Sequence, residues 1–209
     1  MARRLKIGLL GGSFDPVHRA HIRLARAART HLGLDLVQLI PAAAPWQRSP
    51  LQTAARHRLR MLELACGDDS SLVINPIELD RSGQTYTIDT VRALDPGADY
   101  VWILGADQLA NFCTWHRWRD ILEHVQLAVA CRPGFAPEPP AELRQALRAA
   151  PAKPLLRIPF EADPVSATQI RTALARGLPV HDMLHPQVLS YIHTHHLYQN
   201  GAHAQEITT

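Results

Sequence analysis

The sequence predicts an α/β fold, a doubly wound, mostly parallel sheet of about five or six strands, and three observations carry that expectation. Short apolar runs of strand length alternate along the chain with stretches whose apolar residues recur at helical spacing. The runs are continuously apolar, as expected of strands covered on both faces. Gly and Pro punctuate nearly every junction between them.

In chain order, Leu5 to Leu10 reads as the first strand and is closed by Gly11 and Gly12. From His18 to Leu32 the apolar positions Ile22, Ala25, Ala28 and Leu32 define one helical face, with Arg19, Arg23, Arg26 and Arg29 around the others and Gly33 as the stop. Leu36 to Ile40 is a second strand ended by Pro41, followed by a proline-containing loop through Pro50 and a helix from Ala54 to Cys66. A strand at Leu72 to Asn75, a loop through Arg81 to Gln84, a helix from Ile88 to Leu94 and a strand at Tyr100 to Leu104 continue the alternation. Val125 to Cys131 is the next strand, then a Pro-rich stretch to Pro140, a helix through Ala149 and a last strand near Leu155 to Ile158. Helices at Ala167 to Arg176 and Pro186 to His195 follow. Residues 1–198 are expected to form one domain with a small helical part from about 165, and 199–209 a polar, fraying tail.

Composition narrows the function classes. With 209 residues, 46% hydrophobic and 20% charged, the chain can bury a core without staples. The net charge of +3 comes from scattered basic residues and no basic arm, so a polyanionic small molecule is expected and nucleic acid is not. Cys66, Cys113 and Cys131 are too widely spaced for a zinc CxxC pair or a disulfide framework, which suits a reducing cytoplasm. The apolar part of the N-terminus stops at Gly11, too soon for a signal peptide, and no run reaches the length of a membrane span.

In such a sheet, ligands bind beyond the carboxyl ends of the strands. Gly11, Gly12 and Ser13 lie there, directly after the first strand, where small residues let the main chain approach a phosphate. Neither the dinucleotide fingerprint nor the P-loop is present. Phe14, Asp15, Pro16 and Val17 lead to His18 and His21, three apart at a helix start, where imidazoles and the helix dipole can meet phosphoryl charge. Far along the chain, Ser166, Thr168 and Arg171 form a second helix mouth suited to an anion.

The segment GGSFDPVHRAH resembles the signature of the HxGH nucleotidyltransferases, and VSATQIR resembles their ISSTxxR-type motif, which implies a Rossmann-like nucleotidyltransferase fold. Ala20 stands where that family has Gly, and Trp46 and Gln47 replace the second proline and the histidine of its PPHK or PPHR loop, leaving Arg48 as the cation. The middle segments SGQTYTIDTVRAL and ILGADQLANFCTWHRW resemble the bacterial nicotinate-nucleotide adenylyltransferases over roughly residues 5–198. That resemblance implies adenylyl transfer from ATP, with Mg²⁺, to nicotinate mononucleotide.

By the same resemblance, His18, His21 and Arg171 carry catalysis, and Gly11 to Phe14, Ser166, Thr168 and Arg171 hold the triphosphate. Asp107, after the strand ending at Leu104, takes a ribose, and Arg132 lies at the adenylyl end. Main-chain groups around Tyr86 and Thr87 take the nicotinate carboxylate, Trp115 stacks on the pyridine and Arg48 serves the acceptor. No dedicated protein metal site is expected, and homo-oligomerisation stays open. The rivals are another acceptor, such as phosphopantetheine or nicotinamide mononucleotide, and a non-catalytic nucleotide sensor or RNA-binding module on the same fold.

Overall fold

The computed structural model describes residues 3–43, 51–81, 83–149, 153–161 and 163–199. Six strands form a single sheet: β1 (Lys6–Gly12), β2 (Leu36–Pro41), β3 (Leu72–Ile74), β4 (Asp99–Leu104), β5 (Val125–Cys131) and β6 (Leu156–Pro159). Every pairing is parallel and the order across the sheet is β3-β2-β1-β4-β5-β6. The chain therefore winds outward from β1 in one direction, returns to β4 beside β1 and winds outward in the other.

That return makes a topological switch point between β1 and β4, where α/β proteins place ligands. Pairing of β1 with β4 ends at Leu9↔Trp102. Beyond it, Leu10 to Gly12 pair only with β2, while Ile103 and Leu104 pair only with β5. The sheet thus splits at its carboxyl edge, and a crevice opens there.

Eight helices cover the sheet: α1 (Arg19–Leu32), α2 (Ala55–Cys66), α3 (Thr87–Arg92), α4 (Ala106–Ala110), α5 (Trp118–His124), α6 (Ala141–Arg148), α7 (Ala167–Ala175) and α8 (Pro186–Thr194). Two separate hydrophobic clusters lie on the two faces. Leu10, Ile22, Ala25, Met61, Ile170 and Ile192 bring α1, α2, α7 and α8 into one of them. Ile7, Leu9, Ile88, Phe112, Ile121 and Leu143 belong to the other, with α3 to α6. Successive residues of β1 point to opposite faces, so its apolar run feeds both clusters. The stop at Gly33 is a left-handed cap with φ of 61°, and its N–H bonds the Arg29 carbonyl.

Most elements agree with the sequence reading within a residue or two. Two helices were not expected: α4 and α5, which with a 3₁₀ turn at Phe112–Thr114 fill the β4 to β5 crossover. They have five and seven residues and are separated by the 3₁₀ turn, so no single helical period runs through the crossover. Among the described residues no helix is long and apolar enough to cross a membrane.

Candidate active site

The crevice between β1 and β4 continues into a cleft of about 310 Å³, whose walls include Gly11, Gly12, Ser13, Thr87, Asp107 and Trp115. The glycines are favoured here by tight packing and not by backbone angle. A Cβ on Gly11 would lie 3.0 Å from the Trp102 ring, and one on Gly12 would meet the Phe14 ring at 3.1 to 3.3 Å. Left-handed backbone falls instead on Phe14, with φ of 47°, buried beneath the loop. The ring of Phe14 meets His21 edge-on at 4.9 Å.

His18 is the N-cap of α1 and His21 lies one turn in. Their rings stack at 3.7 Å, and the His18 N–H donates to His21 Nδ1 at 3.2 Å, satisfying one of the helix's first amides. His18 is 7% exposed, and its Nδ1 is buried without a partner. Burial pushes its pKa down to about 4, against the opposing pull of the Asp163 carboxylate. A neutral imidazole with an unused nitrogen therefore waits at the helix mouth. Its ring borders a hollow of about 620 Å³ between α1, the end of α2 and the start of α8, and not the cleft itself.

The two sequence motifs, far apart in the chain, meet through Asp15. Arg171 Nη1 donates to the Asp15 carbonyl at 2.7 Å and Nη2 to Thr168 Oγ1 at 3.1 Å, while Nε is buried without a partner. The Asp15 carboxylate accepts from the Tyr198 hydroxyl at 2.6 Å and the Gln52 N–H at 2.8 Å. Beneath it lies Arg58 of α2, 1% exposed, donating to the carbonyls of Ser13, Ala42 and Thr53 at 2.9, 2.7 and 3.2 Å. A guanidinium withdrawn from water needs this many acceptors and a nearby countercharge, which Asp15 supplies.

A second tie joins the segment before α7 to α1. The side chain of Asp163 is 1% exposed, and it accepts from Arg19 at 3.0 and 3.2 Å, from Arg23 at 2.8 Å and from the Val165 N–H at 3.3 Å. Three donors hold the Asp163 carboxyl below its usual range even though burial opposes this. Ser166 caps α7, accepting from the Gln169 N–H at 3.2 Å, so that amide is already used. Thr168 and Arg171 line a hollow of about 400 Å³ with Gln52 and Tyr198.

On the other side of the cleft, Tyr86 is the N-cap of α3 and its hydroxyl donates to Gln84 at 2.7 Å. Its ring lies 4.6 Å from His116, a cleft residue. Trp115 is half-buried, edge-on to Trp102 at 6.3 Å and tilted against Phe112 at 5.1 Å, so its indole is fixed by aromatic neighbours. Glu78 also lines the cleft and is buried, which raises its pKa against the hydroxyls of Thr90 and Thr85 and the charge of Arg81.

The expected residues thus fall into two connected groups. Gly11, Gly12, Ser13, Thr87, Asp107 and Trp115 share the cleft. Phe14, His18, His21, Thr168 and Arg171 gather around the loop that follows Ser13. Arg132 is exposed just past β5 and lines neither hollow. Arg48 lies outside the described residues. Arg58, Glu78, Asp163 and Tyr198 were not anticipated, and no sequence signal short of their tertiary partners distinguishes them.

The chain was compared with known proteins. The cytidylyltransferase-like family model matches residues 9–173. A Bordetella petrii protein named "Probable nicotinate-nucleotide adenylyltransferase" is 58% identical over 93% of this chain and 99% of its own length. A Laribacter hongkongensis protein of the same name is 46% identical over 96% and 98%. Among solved structures, the Plasmodium falciparum nicotinic acid mononucleotide adenylyltransferase complexed with NaAD superposes with a TM-score of 0.73 at 21% identity, covering 93% of this chain and 98% of that one. The last likeness supports the fold, and the full-length identities settle the kinship: this chain belongs to the nicotinate-nucleotide adenylyltransferase family, within the cytidylyltransferase-like proteins.

Proposed function

We propose that this chain transfers the adenylyl group of ATP to nicotinate mononucleotide, giving nicotinate adenine dinucleotide and pyrophosphate, a step of NAD biosynthesis in the cytoplasm. One observation carries the reading. A single cleft joins the glycine loop at the end of β1 to Thr87, Asp107 and Trp115, so a phosphate-approaching backbone and a flat aromatic wall share one pocket.

In this reading an oxygen of the acceptor phosphate attacks the α-phosphorus of ATP in line. The new P–O bond forms as the bond to the β-phosphate bridge breaks, and pyrophosphate leaves with the electron pair. The chemistry needs positioning and charge stabilisation more than a covalent intermediate. The main chain from Gly11 to Phe14 approaches the phosphates. Hydrogen bonds from His18 and His21 and the positive charge of Arg171 stabilise the pentacoordinate phosphorus. Ser166 and Thr168 receive the triphosphate, Asp107 holds a ribose and Arg132 lies at the adenylyl end.

On the acceptor side, the amides around Tyr86 and Thr87 take the nicotinate carboxylate, Trp115 stacks on the pyridine and Arg48 serves the acceptor's phosphate. Among the described residues no group of three His, Cys, Asp or Glu side chains could cage a metal ion. Mg²⁺ enters this reading as part of the substrate MgATP, partly neutralising the triphosphate.

Pyrophosphate release with ATP, Mg²⁺ and either nicotinate or nicotinamide mononucleotide tests the assignment. The acid is expected to be the better acceptor by kcat/KM, and a preference for the amide would overturn the choice of substrate. His18→Ala should lower kcat by a much larger factor than it raises either KM.

A further inference from the structure

Glu78 is the one carboxylate in the cleft that the proposed reaction does not use, and it lies where an anionic acceptor is to bind. A buried acid beside an anion site costs binding energy, which a second role of the acid has to offset. Its partners indicate what. The Thr90 hydroxyl donates to Glu78 Oε1 at 2.8 Å, and the Thr85 hydroxyl acts on the same carboxylate, favouring its charged form.

Thr85 and Thr90 bracket Tyr86 and Thr87, the start of α3. Thr90 is fully buried, and Glu78 and Thr85 are each 7% exposed, so the clamp is built into the cleft wall. Upstream, the Asn75 side chain accepts from the Ile77 N–H at 3.1 Å and donates to Gln38 of β2 at 2.8 Å, which fixes the segment carrying Glu78 to the sheet. Downstream, Arg81 Nη2 donates to the Asp89 carbonyl at 3.0 Å, closing the same segment on α3 from outside.

We infer that Glu78 is a positioning residue for the acceptor: through Thr85 and Thr90 it ties the first turn of α3 to the sheet, and so sets where the Tyr86 and Thr87 amides point. This rests on the reading that those amides hold the acceptor's carboxylate. The α3 amides at the cleft edge are only as well placed as the turn that carries them, because a site a fraction of an ångström too loose loses its ligand. Glu78 touches no reacting atom in this scheme, so its loss moves acceptor binding and leaves the ATP side alone.

Steady-state kinetics on Glu78→Ala, Glu78→Gln and Trp115→Ala test the inference, each variant first checked for a native circular dichroism spectrum and melting curve. Glu78→Ala is expected to raise KM for nicotinate mononucleotide roughly tenfold. KM for ATP and kcat should stay within about twofold to threefold of the parent. Glu78→Gln keeps a side-chain oxygen for the Thr90 hydroxyl and should recover most of the loss.

An unchanged acceptor KM in Glu78→Ala, an equal rise in the KM for ATP, or a Glu78→Gln variant as impaired as Glu78→Ala would each overturn the positioning role. Trp115→Ala separates the two readings. If it raises the acceptor KM while Glu78→Ala does not, only the role of Glu78 fails. If neither does, the cleft is not the acceptor site. Should Glu78→Ala fail to fold, Thr90→Val removes the same 2.8 Å bond from the other end and is expected to raise the acceptor KM likewise; an unchanged value there would also refute the inference.

Discussion

His18 offers a quantitative test because burial makes its proton affinity differ between the folded and unfolded chains. The unfolded chain titrates this imidazole near 6.5, whereas burial holds it at about 4 in the folded protein. The folded state therefore binds fewer protons than the unfolded one between these values, and stability rises with pH across that window. Above about 6.5 the buried neutral ring costs nothing by protonation. As the pH falls toward 4 the unfolded chain gains a proton that the folded chain refuses, and the difference approaches about 3 kcal/mol.

His18→Asn deletes the titration while keeping a polar side chain. Urea unfolding of both proteins at pH 7.5 and pH 4.5 isolates the effect, since the remaining histidines of the 12 contribute equally to each. The parent should lose about 2 to 3 kcal/mol more than the variant on acidification. Equal losses in the two proteins would refute the claim that His18 is held neutral by burial. A larger loss in the variant would show the opposite sign, an imidazolium stabilised by Asp163.

Three further outcomes follow from the supports around the site. Arg58→Met leaves three carbonyls without their donor and Asp15 without its countercharge, and should cost at least about 3 kcal/mol, seen as a fall of roughly 6 °C or more in Tm. Tyr198→Phe removes the 2.6 Å bond to Asp15 and should cost about 1 to 2 kcal/mol in urea unfolding, with a drop in kcat and an unchanged acceptor KM. Burial pushes the Cys66 thiol up to about 11, so a disulfide reagent at pH 8 should leave it unmodified in the native protein and label it once denaturant is added.

The fold was largely legible because parallel strands covered on both faces spell themselves out as runs such as Leu36 to Ile40 and Val125 to Cys131. The crossover between β4 and β5 was not, since it is broken into a five-residue helix, a 3₁₀ turn and a seven-residue helix with no single period running through them. At the site, the histidine pair and the Ser166 helix mouth could be named from local pattern, and Trp115 from the family resemblance.

Their supports could not. Arg58 on an amphipathic helix reads as a solvated arginine, and only the three carbonyls brought over it explain its burial. Glu78 and Asp163 likewise have partners 12 and about 140 residues away. Gly11 and Gly12 were legible as small residues that let the main chain approach a phosphate; that their missing side chains also make room for Trp102 and Phe14 was not.

The bond from Tyr198 to Asp15 spans 183 positions in the chain. For a polypeptide made from its N-terminus, this means that the loop after β1 emerges from the ribosome early and waits for nearly the whole described chain before its keystone arrives. Until then Asp15 has no hydroxyl partner. Nucleotide binding should therefore appear abruptly, late in synthesis, and a nascent chain cut short before Tyr198 should hold its early strands without a finished phosphate site.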